Sequence, residues 1–196
     1  MSNVFFTADL HLGHEKTCTV FEGHDGRPLR PFANADEMDE ELIKRWNARV
    51  GARDTTYVLG DVCIDIGNLW KMDRFNGRKI LVPGNHDKAP ARRYLEHFDD
   101  IVAYKVFKTK GRYDRFVATH VPIHPEMLKR WGANVHGHLH SNIVMRPQGT
   151  RREVMNENYL CVSVEQTDYA PLSLDEVIAR LEDGPKALNS AFLDMP

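Results

Sequence analysis

Five apolar runs in this sequence break off at residues that bind metals or move protons. "NVFFTADLH" ends in Asp9 and His11, and "TTYVLGD" ends in Asp61. "RKILVPGNHD" ends in Asn85, His86 and Asp87, "RFVATH" in His120, and "ANVHGHLH" carries His138 and His140. Any one of these could be a polar turn or a helix cap. Together they put carboxylates and imidazoles, without thiolates, where a divalent transition metal would want them. The pairs Asp9-x-His11 and His138-x-His140 share a spacing of two. On an extended strand such residues lie on one face; where the chain bends they can reach separate ions. One carboxylate can bridge two ions about 3.5–4 Å apart. Asp61 is the natural bridge, and Asn85 would add a neutral carbonyl oxygen. The donor set therefore predicts two divalent transition-metal ions, Mn first, with Fe, Ni, Co or Zn as alternatives.

The elements that must position these groups can be read from the pattern. The run ending at Asp9 is β-branched and aromatic, a buried strand. Residues 15–33 hold Gly23, Gly26, Pro28 and Pro31 and read as a long loop. A helix is predicted from an N-cap at Asn34, with Glu37 three residues on, to a stop at Gly51. Its apolar face is Met38, Leu42, Ile43, Trp46 and Val50. The runs ending at Asp61 and Asn85 are the next strands, with helical turns over 69–75 and 89–98. From residue 101 onward short strands dominate, with "KGR" as a hairpin turn, which predicts a more antiparallel half. A last helix starts at Ser173, where Glu176 completes S-x-x-E, and stops near Gly184 and Pro185. Strand carboxyl ends in open α/β sheets converge on one crevice. The expected fold is α/β, a four-layer α-β-β-α sandwich of two mixed sheets flanked by helices, as one domain over 1–196.

Composition limits the function classes. The chain has 196 residues and a formal net charge of -2. That balance argues against a surface that grips an extended nucleic acid. The three cysteines, Cys18, Cys63 and Cys161, are odd in number and widely spaced. No disulfide framework is expected, and a reducing cytoplasm is the expected location. The opening residues lack the charged and apolar regions of a signal peptide, and no apolar run is long enough for a transmembrane helix. No membrane partner is expected. Apolar residues on the outer helices leave room for a homodimer.

The motifs Asp9-x-His11, Gly60-Asp61, Gly84-Asn85-His86-Asp87, Thr119-His120 and Gly137-His138-x-His140 occur in the order found in the calcineurin-like metallophosphoesterase superfamily. The chain resembles a small prokaryotic or phage-type member, with the motifs spanning residues 9–140. The resemblance implies one metal held by Asp9, His11, Asp61 and His140. It implies a second held by Asp61, Asn85, His120 and His138. It makes His86 the general acid and Asp87 the carboxylate that orients it. His14, Arg30 in "LRPF" and His124 are further candidates for contacting substrate. The Asp-Arg-Gly of related protein phosphatases is missing after Asp61, and the length leaves little room for the capping domain of related nucleases. The expected substrate is a small-molecule phosphoester, first of all a nucleotide-type phosphodiester. Phosphomonoesterase, protein phosphatase and nuclease activities of the same superfamily are alternatives. A metal-binding interaction scaffold is the non-enzyme alternative.

Overall fold

The structure is a computed structural model that describes residues 2–23, 26–148, 150 and 152–183. Its strands run in chain order as β1 (Val4–Thr7), β2 (Thr55–Val58), β3 (Arg78–Leu81), β4 (Asp100–Ile101), β5 (Lys105–Lys108) and β6 (Arg115–Ala118). They continue as β7 (Ala133–His136), β8 (Met145–Gln148), β9 (Arg152–Met155), β10 (Tyr159–Cys161) and β11 (Leu172–Ser173). The α-helices are α1 (Lys16–Thr19), α2 (Ala35–Arg49), α3 (Ala91–Tyr94), α4 (Leu128–Trp131) and α5 (Leu174–Glu182).

Two mixed sheets carry the fold. The first has the order β11-β1-β2-β3-β4 and the second the order β10-β7-β6-β5, while β8 and β9 form a separate hairpin. In the first sheet β1 to β4 are parallel and β11 adds an antiparallel edge. Side chains alternate across this sheet with the two-residue period of a strand. Phe5, Val58 and Leu81 enter one core, which α2 covers through Met38, Leu42 and Trp46. Phe6, Tyr57 and Ile80 enter a second core, where they meet Phe116, Ala118 and Val135 of the other sheet and Val177 and Leu181 of α5. The observed fold is thus α/β, with mixed sheets flanked by helices, as expected.

Several local expectations change. Asn34 does cap α2, accepting the Glu37 N–H at 2.9 Å. Ser173 and Glu176 form a complete capping box on α5. The α5 helix ends at Glu182, and the expected stop at Gly184 and Pro185 lies outside the described residues, as does His24. The second half is the more antiparallel one, as expected: β5–β6, β8–β9 and the β11 edge pair that way, although β6, β7 and β10 are parallel to one another. The run "VAYKVFKT" does not form one strand. Only its Lys105–Lys108 part is extended, as β5 of the second sheet, while the residues just before the run form β4 of the first. The helix expected over 89–98 is one turn, α3, followed by turns that still bury Tyr94 and Phe98. The turn over 66–74 is a 3-10 helix, capped by the Asp65 side chain.

Candidate metal centre

The ladder between β1 and β2 continues beyond the strands. The Asp9, His11 and Leu12 N–H groups donate to the carbonyls of Gly60, Asp61 and Val62 at 3.0, 3.0 and 2.9 Å. These bonds bring the Asp9 and Asp61 loops side by side. Within them the backbone turns sharply. Asp9, His11, Asp61, His138 and His140 all take positive φ, between 48° and 70°. Side chains with a Cβ rarely adopt that region, and such residues cluster at functional sites. It is these left-handed turns, not the i, i+2 spacing of an extended strand, that aim the ligands. Asp9 and His11 reach one cluster, while His138 and His140 separate into two. Two glycines allow the loops to approach. A Cβ at Gly84 would lie 2.2 Å from Asp61 Oδ1, and one at Gly137 would lie 2.5 Å from the Ala8 Cβ.

Two groups of possible ligand atoms result. Asp9, His11 and His140 converge in one, Asp61, His120 and His138 in the other, each with its atoms within 4.8 Å of one another. The Asp61 carboxylate lies between them. Its Oδ2 is 3.8 Å from His11 Nε2 and 3.5 Å from His120 Nε2. Asn85 Oδ1 stands 2.9 Å from His120 Nε2. The seven residues expected as ligands are therefore brought together, with Asp9, His11 and His140 on one side of Asp61 and His120, His138 and Asn85 on the other.

The polar atoms of the site fit a cation. Asp9 Oδ1 and both ring nitrogens of His11 are buried with no hydrogen-bond partner among the described residues. A neutral imidazole always has an N–H to satisfy, so this is costly unless another group is bound. Burial, followed by the positive surroundings of Arg30 and the other histidines, lowers the pKa of His11 and keeps its lone pair free. His120 Nδ1 donates to the Leu59 carbonyl at 2.7 Å, which in the neutral ring leaves the lone pair on Nε2. That nitrogen then faces two oxygens, Asn85 Oδ1 and Asp61 Oδ2, acceptor against acceptor. A cation between them removes the conflict. Burial also pushes the Asp9 carboxyl up to about 6, against the pull of His140 and the Ser163 hydroxyl. Asp9 Oδ2 is engaged by the His138 N–H at 2.8 Å and by that hydroxyl, so its other oxygen is the one available.

Three expected roles are corrected by their contacts. Arg30 is fully buried and does not face substrate. Its Nε donates to Glu165 Oε1 at 2.8 Å, Nη1 to the Leu10 carbonyl at 2.7 Å, and Nη2 to the Asp9 carbonyl. Nη1 and Nη2 thus hold the first ligand loop, and Nε holds the Glu165 carboxylate. Asp87 does not hydrogen-bond the His86 ring. Its Oδ2 accepts the Asp61 and Gly84 N–H groups, both at 2.8 Å, and its Oδ1 accepts that of Val62 at 3.1 Å. It ties the second and third ligand loops together instead. Burial raises its pKa, although these three bonds pull the other way. His124 accepts the Glu126 N–H at 3.3 Å as the cap of a short 3-10 helix, and belongs to neither cluster.

His86 is exposed and lies beside the first cluster, its ring centroid 5.7 Å from that of His11. Its N–H donates to Asp61 Oδ1 at 2.9 Å, so the backbone places it. His14 is also present, with its ring 5.6 Å from His11. His11, His14, His86 and His140 line one cleft of about 310 Å3.

Glu165, which no sequence pattern singles out, supports this site directly. Its Oε1 accepts His140 Nδ1 at 3.0 Å, fixing the tautomer that leaves Nε2 for a metal. Burial opposes ionisation of Glu165, but Arg30 and His140 bring its pKa down to about 2. In return, burial is outweighed at His140, whose pKa is raised by Glu165 and Asp9. Asp39 was likewise read only as part of a helix. It is buried, accepts the Gly13 N–H at 3.1 and 3.0 Å, and pairs with Lys71, anchoring the turn between His11 and His14. Glu165 follows the apolar run of β10, whereas Asp39 sits among Asp36, Glu37, Glu40 and Glu41 with nothing in the sequence to set it apart.

No family model matches the chain. It is 24% identical to the protein of unknown function AQ665 from Aquifex aeolicus, whose crystal structure superimposes with a TM-score of 0.66 over 91% of this chain and 99% of that one. That likeness shows a shared fold. The Gene 66 protein of Mycobacterium phage D29 is 29% identical over 183 residues, covering 79% of this chain and 86% of the phage protein. The uncharacterized protein MJ1445 of Methanocaldococcus jannaschii is 30% identical over 190 residues, 94% of each chain. A likeness of that extent makes the chain a member of the same family as MJ1445.

Proposed function

We propose that this protein is a phosphoesterase of the calcineurin-like metallophosphoesterase superfamily, working with two divalent ions on small nucleotide-type phosphodiesters. The observation that carries the reading is the Asp61 carboxylate set between two His/Asp clusters, the first of which has buried ligand atoms with no hydrogen-bond partner among the described residues. Asp9, His11 and His140 would hold one ion, His120, His138 and Asn85 the other, with Asp61 shared. Such a pair supplies Lewis acidity toward phosphoryl oxygens and lowers the pKa of a water toward about 7. The imidazole and carboxylate donors suit Mn, Fe, Co, Ni or Zn, with Mn the expected ion.

The chain's own groups do the rest. The left-handed loops fix the ligands before substrate arrives, so the phosphoryl group meets a preorganised charge distribution. His86 stands at the cleft beside the first cluster and can hold a proton for the leaving oxygen. His14 can hydrogen-bond a phosphoryl oxygen from the same side. Asp87 acts through the backbone, by keeping the Asp61 and Asn85 loops in register.

The test is hydrolysis of bis-p-nitrophenyl phosphate and p-nitrophenyl phosphate with each of Mn, Co, Ni, Fe and Zn. Metal-dependent turnover with the diester preferred is expected. The His86→Ala variant should keep two ions per chain and lose about 10²–10⁴-fold in turnover of esters with poor leaving groups, the usual contribution of acid–base catalysis. Absence of turnover with every metal, or an unimpaired His86→Ala variant, would falsify the assignment.

A further inference from the structure

The cleft that His11, His14, His86 and His140 line has a second wall. Phe21, Leu29 and Ile64 form it, and Glu22 stands with them. Phe21 is 43% exposed and Ile64 44%, so carbon surface faces open solvent beside the ligand loops. Solvent-exposed aromatic surface of this kind costs free energy unless something covers it. The Phe21 ring is already held in place. It packs edge-on against His14 at 5.6 Å, its N–H donates to the Lys16 carbonyl at 2.8 Å, and its carbonyl accepts the Leu29 N–H at 2.6 Å.

The charge of the cleft restricts its occupant. Among the described residues no lysine or arginine lines it, and Glu22 is its one carboxylate. A second phosphate group placed there would have no cationic side chain to meet and would face Glu22. Nucleoside polyphosphates and nucleic-acid strands are poor matches. A flat, uncharged ring system carrying N–H donors is a good one: it covers the apolar wall, and Glu22 accepts from its edge. The volume of about 310 Å3 lies at the small end of ligand pockets and suits one such group rather than a polymer.

We propose that this cleft is a nucleoside subsite, which receives the uncharged nucleoside of a substrate with a single phosphate, its base against Phe21 and Ile64 and its donor edge toward Glu22. The assignment rests on the phosphoesterase reading, which puts His86 at the leaving oxygen and hence the leaving group in this cleft.

The probe is adenosine, with ribose as control, followed by saturation-transfer NMR on the full chain loaded with Mn-free Zn or left without metal, so that binding is read apart from hydrolysis. Saturation is expected on the base protons of adenosine and none on ribose. Phe21→Ala should weaken adenosine binding about tenfold, the scale of one base–aromatic stack, and Phe21→Trp should restore it. Glu22→Lys should raise the affinity of ADP relative to adenosine. Equal binding of adenosine by wild type and Phe21→Ala, equal binding of ribose and adenosine, or displacement of adenosine by an aliphatic alcohol at the same concentration would overturn the proposal. Hydrolysis of diesters without Phe21-dependent adenosine binding removes the subsite alone. Phe21-dependent binding with no hydrolysis under any metal removes the phosphoesterase reading instead.

Discussion

Around Asp9, His11 and His140 the site is supported by a buried ion pair between side chains, whereas around Asp61, His120 and His138 a main-chain carbonyl and a carboxylate bonded to main-chain N–H groups do that work. His140 is oriented by Glu165, which is held by the buried guanidinium of Arg30. His120 is oriented by the carbonyl of Leu59, at the end of β2. The same ligand chemistry thus has two kinds of scaffolding. A carbonyl at a strand end comes with the sheet and carries no full charge to desolvate. A buried ion pair is expensive to desolvate and stable only while both partners remain. One substitution in that pair should therefore disturb the first half of the site more than any single change of a side chain disturbs the second.

The largest expected effect tests that vulnerability. Arg30→Met leaves Glu165 buried without its partner and the Asp9 and Leu10 carbonyls without donors. A loss of about 3–5 kcal/mol is expected, the scale for breaking a buried pair. In a chain of this size that lowers the melting temperature by roughly 10 °C, read by calorimetry. A variant as stable as wild type would remove the distinction between the two halves.

Next in size is Glu165→Gln, which keeps shape and removes charge. Loss of an outer-shell partner weakens metal binding by about 10–100-fold. Titration calorimetry should show one of two sites weakened and the other intact. Equal weakening of both sites would mean that the halves act as one unit. The same residue gives a pH signature. Its pKa in the folded protein is about 2, below the ordinary 4.5, so the stabilisation is present above pH 4.5 and is lost as pH falls toward 2. Acid unfolding of Glu165→Gln should be less steep across that window.

The smallest effect concerns the main-chain half. Asp87→Asn retains one of two acceptor oxygens, while the aspartate serves three N–H groups from the Asp61 and Gly84 loops. A cost of about 1 kcal/mol is expected, with metal binding weakened at the His120 side first. Denaturant unfolding and metal titration read both. A weakened Asp9 side with an unchanged His120 side would reverse the comparison.

These contrasts also explain what could be read in advance. The ligands were legible because each follows an apolar run directly, and convergence at strand ends is a property of the sheet. Asn34 and Ser173 were legible as caps because their partners are three residues away. Arg30 was not, because its partner Glu165 lies 135 residues further along the chain. An arginine on a glycine- and proline-rich loop looks solvent-facing until that partner is known. Asp87 misled for a different reason. Adjacency to His86 suggested a side-chain contact, but the tight turn at Gly84 directs the carboxylate toward backbone amides. Strand direction was lost similarly, since the apolar pattern of β7 and β10 is equally compatible with parallel and antiparallel neighbours.

The left-handed backbone at Asp9, His11, Asp61, His138 and His140 bears on how this protein could change over generations. Each such residue costs on the order of 1 kcal/mol relative to glycine, so five amount to a sizeable part of the 5–15 kcal/mol by which a domain of this kind stays folded. Glycine at any of them would ease the backbone and delete a ligand. Relief of the backbone would then be set against the buried hydrogen bonds that Asp9, Asp61 and His140 make through their side chains, so these ligands are held in place by the fold as well as by metal binding.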